Sequence, residues 1–200
     1  MPTHSPDSAT FRALCEATPQ DWIVIERAER EYRRRCGPGH GLLTVMACIA
    51  DIDPMGAPVN LYTHSLQTAT RVLEAGCDEE LVVVALFHDL PEAFSDNEHG
   101  LLAAQLLEPW ISERRRWLLI HHGEFQNFHF ANHPTRDRNE RDRYLGHPFF
   151  EETARFCELY DQNSFDPDYP TLPLKEFEPI VKRFFGAAGP GARPIGGHGV

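Results

Sequence analysis

The segment Leu81-Val82-Val83-Val84-Ala85-Leu86-Phe87 is apolar on every side and ends abruptly on His88-Asp89. Such a run has no polar face to offer water, so it has to be buried all round, as a strand or as a helix. Periodicity alone does not choose between them. Asp78-Glu79-Glu80 ahead of it reads as an acidic N-cap and first turn, which suits a helix. The neighbouring segments also carry helical spacing. The run is therefore read as a buried helix, Glu79 to about His88, that delivers His88 and Asp89 from the core to a site at its C-terminal end. A charge emerging there needs a partner or a metal.

The rest of the chain is read as helical too, giving an all-α single domain. Thr18-Pro19-Gln20-Asp21 starts a helix running to about Arg35, with Thr18 as N-cap, and Gly37-Pro38-Gly39 breaks it. Further helices are expected over about Leu42 to Ala50 and Asn60 to Ala75. Asp96 or Asn97 opens one carrying His99 and Leu101 to Leu107, and Ser112 caps another carrying Trp117 to His122. A short helix is expected near Arg138 to Tyr144. His147-Pro148 opens one that ends at Asp161, and a last one covers Leu174 to Phe185. Residues 1–40 are expected to form N-terminal helices packing on the core, 41–185 the main domain, and 186–200 a flexible Gly/Pro-rich tail.

Composition excludes several classes. The formal net charge is -11, which opposes binding to nucleic acid through its phosphates. No apolar run reaches the ~18–20 residues that cross a bilayer, and Met1 to Thr10 has no apolar signal core. No membrane partner and a cytoplasmic location are expected. Cys15, Cys36, Cys48, Cys77 and Cys157 are scattered, without a C-x-x-C pair, and read as free thiols. Arginines cluster at Arg33–Arg35, Arg114–Arg116 and in the stretch Arg136 to Arg143. They read as solvated faces, or more boldly as a local anion site, because the guanidinium fork suits phosphate and carboxylate.

The chemistry lies in an ordered set: His64, then His88-Asp89, then Asp161. Imidazole and carboxylate are the ligands that first-row divalent metals take at neutral pH. A carboxylate can bridge two ions about 3.5–4 Å apart. His99, in Glu98-His99-Gly100, and one of His121 and His122 before Gly123 would complete four histidines and two aspartates. His122 is preferred to His121 because Gly123 directly follows it and would let backbone approach closely. Such a nitrogen-rich set favours iron, manganese, cobalt or zinc over magnesium. Asp166 and Asp168 read as Asp-Pro loop chemistry.

The set H…HD…D resembles that of the HD superfamily of metal-dependent enzymes, over roughly Leu61 to Asp161. The resemblance implies an all-helical HD domain in which His64, His88, Asp89 and Asp161 are metal ligands, with Asp89 bridging. With His99 and His122 added, the set looks like that of the HD oxygenases holding two iron ions, such as myo-inositol oxygenase and the organophosphonate-cleaving enzymes. The stretch His64, Gln67, Thr68, Ala69 is similar to theirs. That likeness implies O2 and a small hydroxylated substrate, such as a polyol or phosphonate, as reactants. Gln67 and Arg71 are then expected to face the substrate. The chain departs from that subgroup in lacking Tyr or Glu between Asp53 and Leu61, and in having Leu90-Pro91-Glu92 after its His-Asp pair. His88-Asp89-Leu90-Pro91-Glu92 resembles instead the H-D-x-x-E of HD 5′-deoxynucleotidases. There Glu92 would be a catalytic acid or base beside Asp89, in a phosphohydrolase that needs neither His99 nor His122. A non-catalytic module that has kept the fold is the third expectation.

Overall fold

The computed structural model describes residues 8–95 and 98–186. Among them the protein is built from eight α-helices and short 3-10 turns, with no strand. The helices are α1 (Pro19–Cys36), α2 (His40–Cys48), α3 (Leu61–Glu74), α4 (Glu79–Phe87), α5 (His99–Leu107), α6 (Glu113–Gln126), α7 (Phe150–Leu159) and α8 (Leu174–Gly186). The expected helix start at Asp96 or Asn97 and the Gly/Pro-rich tail beyond Gly186 lie outside the described residues, as does most of the polar N-terminal stretch. No helix of the described residues is long and apolar enough to cross a membrane.

The starts of the helices follow the caps where the capping side chain reaches the backbone. Thr18 accepts from the Asp21 N–H while the Asp21 carboxylate accepts from the Thr18 N–H, a capping box. Asn60 caps α3 through the Thr63 N–H and Asp78 caps α4 through the Leu81 N–H. Ser112 makes no side-chain cap to α6; its own N–H is taken by the Glu80 carboxylate instead. α7 starts at Phe150, later than His147-Pro148, because the His147 ring accepts the Phe149 N–H in a turn.

α4 is the axis of the molecule. Every residue from Leu81 to Phe87 is buried, as a helix without a polar face requires. α3 packs along it most extensively, α8 also covers it, and α5, α6 and α7 pack in succession beside it. The core joins Leu66, Ala69 and Val72 of α3 to Leu118, Leu119 and Phe125 of α6, Phe156 of α7 and Phe177 and Val181 of α8. α8 comes close to the start of α2 because Gly39 has no side chain. A Cβ there would lie 2.6 Å from Val181 and 2.7 Å from Phe185, and its φ of 73° is in the left-handed region that favours glycine. Burial on α1 is confined to Asp21 and Val24, so the expected packing of residues 1–40 on the core is slight along this helix.

Candidate metal centre

His64 stands at the end of the first turn of α3, and every residue from His64 to Thr70 is buried. Its Nδ1 lies 3.0 Å from the Ser164 carbonyl, and the Phe165 ring lies against it at 4.5 Å. His88 caps α4 at its C-terminus, with Nδ1 2.8 Å from the Ala85 carbonyl. His122, on α6, has Nδ1 2.7 Å from the Leu119 carbonyl. A carbonyl can only accept, so each of these three rings donates from Nδ1 and turns Nε2 inward, where it offers a lone pair when the ring is neutral and a proton when the ring is charged.

Those lone pairs converge. His64 Nε2 and His88 Nε2 are 3.3 Å apart, and His99 Nε2 and His122 Nε2 are 3.1 Å apart. Asp89 divides its carboxylate between the two pairs. Oδ2 lies 3.2 Å from His64 and 3.1 Å from His88, whereas Oδ1 lies 3.0 Å from His122 and 3.4 Å from His99. Asp161 Oδ1 joins the first pair, 3.3 Å from His64 and 3.7 Å from His88. Two groups able to hold metal result: His64, His88, Asp89 and Asp161, and Asp89, His99 and His122. Bonds of about 2.0–2.2 Å put neighbouring ligand atoms of one ion roughly 3.0–3.5 Å apart, close to these separations. Lone pairs that face one another repel unless a cation lies between them. Asp161 Oδ2 is buried with no hydrogen-bond partner among the described residues, an acceptor that a cation or its water would satisfy. The donor set and its geometry therefore fit divalent metal ions.

The field of the two carboxylates acts on the rings. Burial disfavours the charged form of His64, but its hydrogen bonds to Asp161 and Asp89 outweigh that and push its pKa up to about 9. His88 is likewise pushed up, against burial, by the Asp89 charge and the Asp161 hydrogen bond. Asp89 is held well below the usual carboxylate range, despite burial, by His88 and by hydrogen bonds from His122 and His64. The site thus favours a positive occupant, be it proton or metal.

Of the residues expected at the site, His64, His88, Asp89, His99, His122 and Asp161 come together. His121 points away and bonds the Glu124 carboxylate at 3.0 Å. The close approach at His122 comes from Gly100 and not, as expected, from Gly123: a Cβ on Gly123 would meet nothing, whereas one on Gly100 would lie 2.2 Å from the Leu119 carbonyl and 3.2 Å from the His122 ring. Gly100 lets α5 close on α6 and so brings His99 to His122. Asp161 does not end α7. The chain breaks at Tyr160 and Asp161 opens a separate 3-10 turn. Glu92 lies half-buried in the 3-10 turn after Asp89, where burial first, then the Asp89 charge, push its carboxyl up.

Gln67 and Arg71, expected to face a substrate, bond to the loop that follows Asp161. Gln67 is buried, and its amide donates to the Asp166 carbonyl and accepts from the Asp166 N–H. Arg71 donates to the Asn163 carbonyl and stacks over Tyr169 at 3.7 Å. Both pin the loop that holds His64 through Ser164. Asp166 and Asp168 are loop residues, as expected, with the Asp168 N–H bonded to the Asp166 carboxylate. Gln126 was missed. It donates to Asp161 Oδ1 at 2.9 Å, and its place one turn after His122 on the same face of α6 is a signal in the sequence. No family model matches the chain, and no curated protein matches it.

Proposed function

We propose that the protein is a dinuclear metalloenzyme of the HD type, and that it is a non-haem diiron oxygenase acting with O2 on a small hydroxylated substrate. The observation that carries this reading is the division of Asp89 between two histidine pairs, which supplies ligands for two ions rather than one. His64, His88, Asp89 and Asp161 would hold the first ion, and Asp89, His99 and His122 the second. Iron, when bound, supplies redox chemistry with O2 and Lewis acidity toward a hydroxyl oxygen; manganese, cobalt and zinc suit the same ligands.

The chain's own residues do the rest. The carbonyls of Ser164, Ala85 and Leu119 fix the three histidines in the ligating tautomer. Phe165 and Phe156 shield His64 and His88 from water. His99, with 24% of its side chain exposed while His88 and Asp161 have none, marks the side from which a substrate reaches the centre.

Glu92 favours a second reading, a metal-dependent phosphohydrolase for a nucleotide or other phosphate monoester. A half-buried carboxyl with a raised pKa beside the centre can take a proton from attacking water. The test is to load the protein with iron anaerobically, oxidise it partly, quantify the iron and record its EPR spectrum. Two irons per chain, with a coupled mixed-valent signal that hydroxylated substrates perturb, are expected. One ion per chain, or redox-inert metal alone with hydrolysis of phosphate esters that survives His99→Ala, would overturn the oxygenase reading.

A further inference from the structure

The stretch between α6 and α7 carries arginines that the proposed chemistry has not used. Arg138 and Arg141 both converge on the ring of Phe128, at 5.1 and 3.5 Å from its centroid. Arg138 spends its Nε on the Phe128 carbonyl. Arg141 Nε is buried with no hydrogen-bond partner. Among the described residues neither guanidinium has a carboxylate within ion-pair distance, although the chain is strongly acidic overall. The nearby acids are engaged elsewhere: Glu140 by Asn127 and Arg143, and Asp137 by the Asn139 N–H.

Two cations over one ring repel each other, and stacking holds their planes while leaving the N–H edges of the forks to bond. His129 adds a third group. Its ring meets Phe128 edge-on at 5.3 Å, and its Nε2 is buried without a partner. Burial, and then Arg141, hold this imidazole below its usual pKa, and Glu158 and Asp161 act on it in the opposite sense. Gln126, just ahead of it in the chain, bonds that same Asp161.

We infer that Arg138, Arg141 and His129 form an anion subsite on the Asp161 side of the metal centre, which takes the oxyanion group of the substrate. Two forked donors and an imidazole offer more hydrogen bonds than one carboxylate uses, so the fit is to a tetrahedral phosphate or phosphonate. The open groove next to it, lined by Thr135, Arg136, Asp137, Asn139, Glu140 and Arg143, mixes both signs of charge and lacks this surplus. The role of the subsite in catalysis rests on the metalloenzyme reading, but anion binding by these residues does not.

Calorimetric titration of the full-length, metal-analysed protein with inorganic phosphate at low ionic strength tests it. Saturable binding is expected, weakened about tenfold or more in Arg141→Gln and several-fold in the exposed variant Arg138→Gln. Arg141→Lys should retain part of it, and Arg143→Gln, whose parent residue is engaged with Glu124, should bind as before. If Arg141→Gln misfolds, Arg138→Gln and Arg138→Lys carry the test. Absence of saturable binding, or affinity in both arginine variants equal to that of the unsubstituted protein, overturns the subsite. Binding that ignores the arginines but disappears in His99→Ala would put phosphate on a metal, overturning the subsite and leaving the metal reading intact. Binding that survives His99→Ala and fails in the arginine variants upholds the subsite even if the diiron reading fails.

Discussion

Two residues separate what single side chains do here. Gly100 is the point where α5 meets α6, and a methyl group there would stand 2.2 Å from the Leu119 carbonyl. Backbone cannot yield as a flexible side chain does, so α5 has to move. Gly100→Ala is expected to cost about 1–3 kcal/mol and, on the proposed two-ion reading, to lower the metal stoichiometry from two to one, because His99 moves with α5. Thermal unfolding and metal analysis on one preparation check both. Retention of two ions would show that His99 is not held to His122 by this contact. Asp21 acts far from the centre. The Thr18 hydroxyl, then the N–H groups of Thr10 and Thr18, bring its pKa down to about 2. A carboxylate depressed in the folded state contributes stability that is complete above its unfolded pKa near 3.8 and lost as pH falls through about 2. The first turn of α1 should therefore loosen between those pH values, seen as faster amide exchange at Trp22 and Ile23, and Asp21→Asn should remove that pH dependence.

At the scale of elements, α4, α6 and α7 are tied by Arg115, which is 3% exposed and meets Asp78, Glu80 and Glu152. Removing Arg115 leaves hydrogen bonds unmade around Glu80, which is 18% exposed, while water still reaches Glu152 and Asp78, 33% and 49% exposed. Arg115→Ala is expected to cost roughly 1–3 kcal/mol in urea unfolding, whereas Arg114→Ala, 44% exposed beside the same acids, should cost under about 1 kcal/mol. Equal losses would mean that burial does not govern this network. The loop after Asp161 is tied down differently. Gln67 and Arg71 on α3 hold its backbone, and Ser164 in that loop fixes the His64 tautomer. Gln67→Ala should speed amide exchange over 164–168 and weaken metal binding roughly tenfold without changing helix content. These roles also mark the limits of what the sequence discloses. The caps at Thr18, Asn60 and Asp78 are local, and the helices they start could be read from their neighbours. The partners of Gln67 and Arg71 lie 99 and 92 residues away, and Gly100 is defined by a carbonyl on another helix. Only Gln126, one helical turn from His122, could have been read from local spacing.

For the whole molecule, the proposed ligands come from α3, the end of α4, α5, α6 and the turn after α7, so no single segment can assemble the centre. Histidines and acids scattered along the chain were legible as an ordered set because helix periodicity puts each at a helix end or on a buried face. Their division between two subsites was not legible, since it depends on which way Asp89 turns each oxygen. This distribution predicts how metal and folding are linked. Ions that bind the folded chain only, at a hundredfold excess over Kd, add about 2.7 kcal/mol, which for a domain of this size raises Tm by roughly 5–10 °C. The gain should be shared by every element that supplies a ligand. α1 supplies none and buries only Asp21 and Val24, so its amides should exchange equally fast with metal bound or chelated, while protection rises together across α3 to α7. His99→Ala should keep part of the rise in Tm, because the four ligands around His64 remain, and Asp89→Ala should abolish nearly all of it, because both subsites use that carboxylate. Equal losses in the two variants would mean that the centre binds one ion cooperatively through all six side chains, and a gain in α1 protection matching that of the core would mean that metal stabilises the fold as a whole rather than through the helices that hold it.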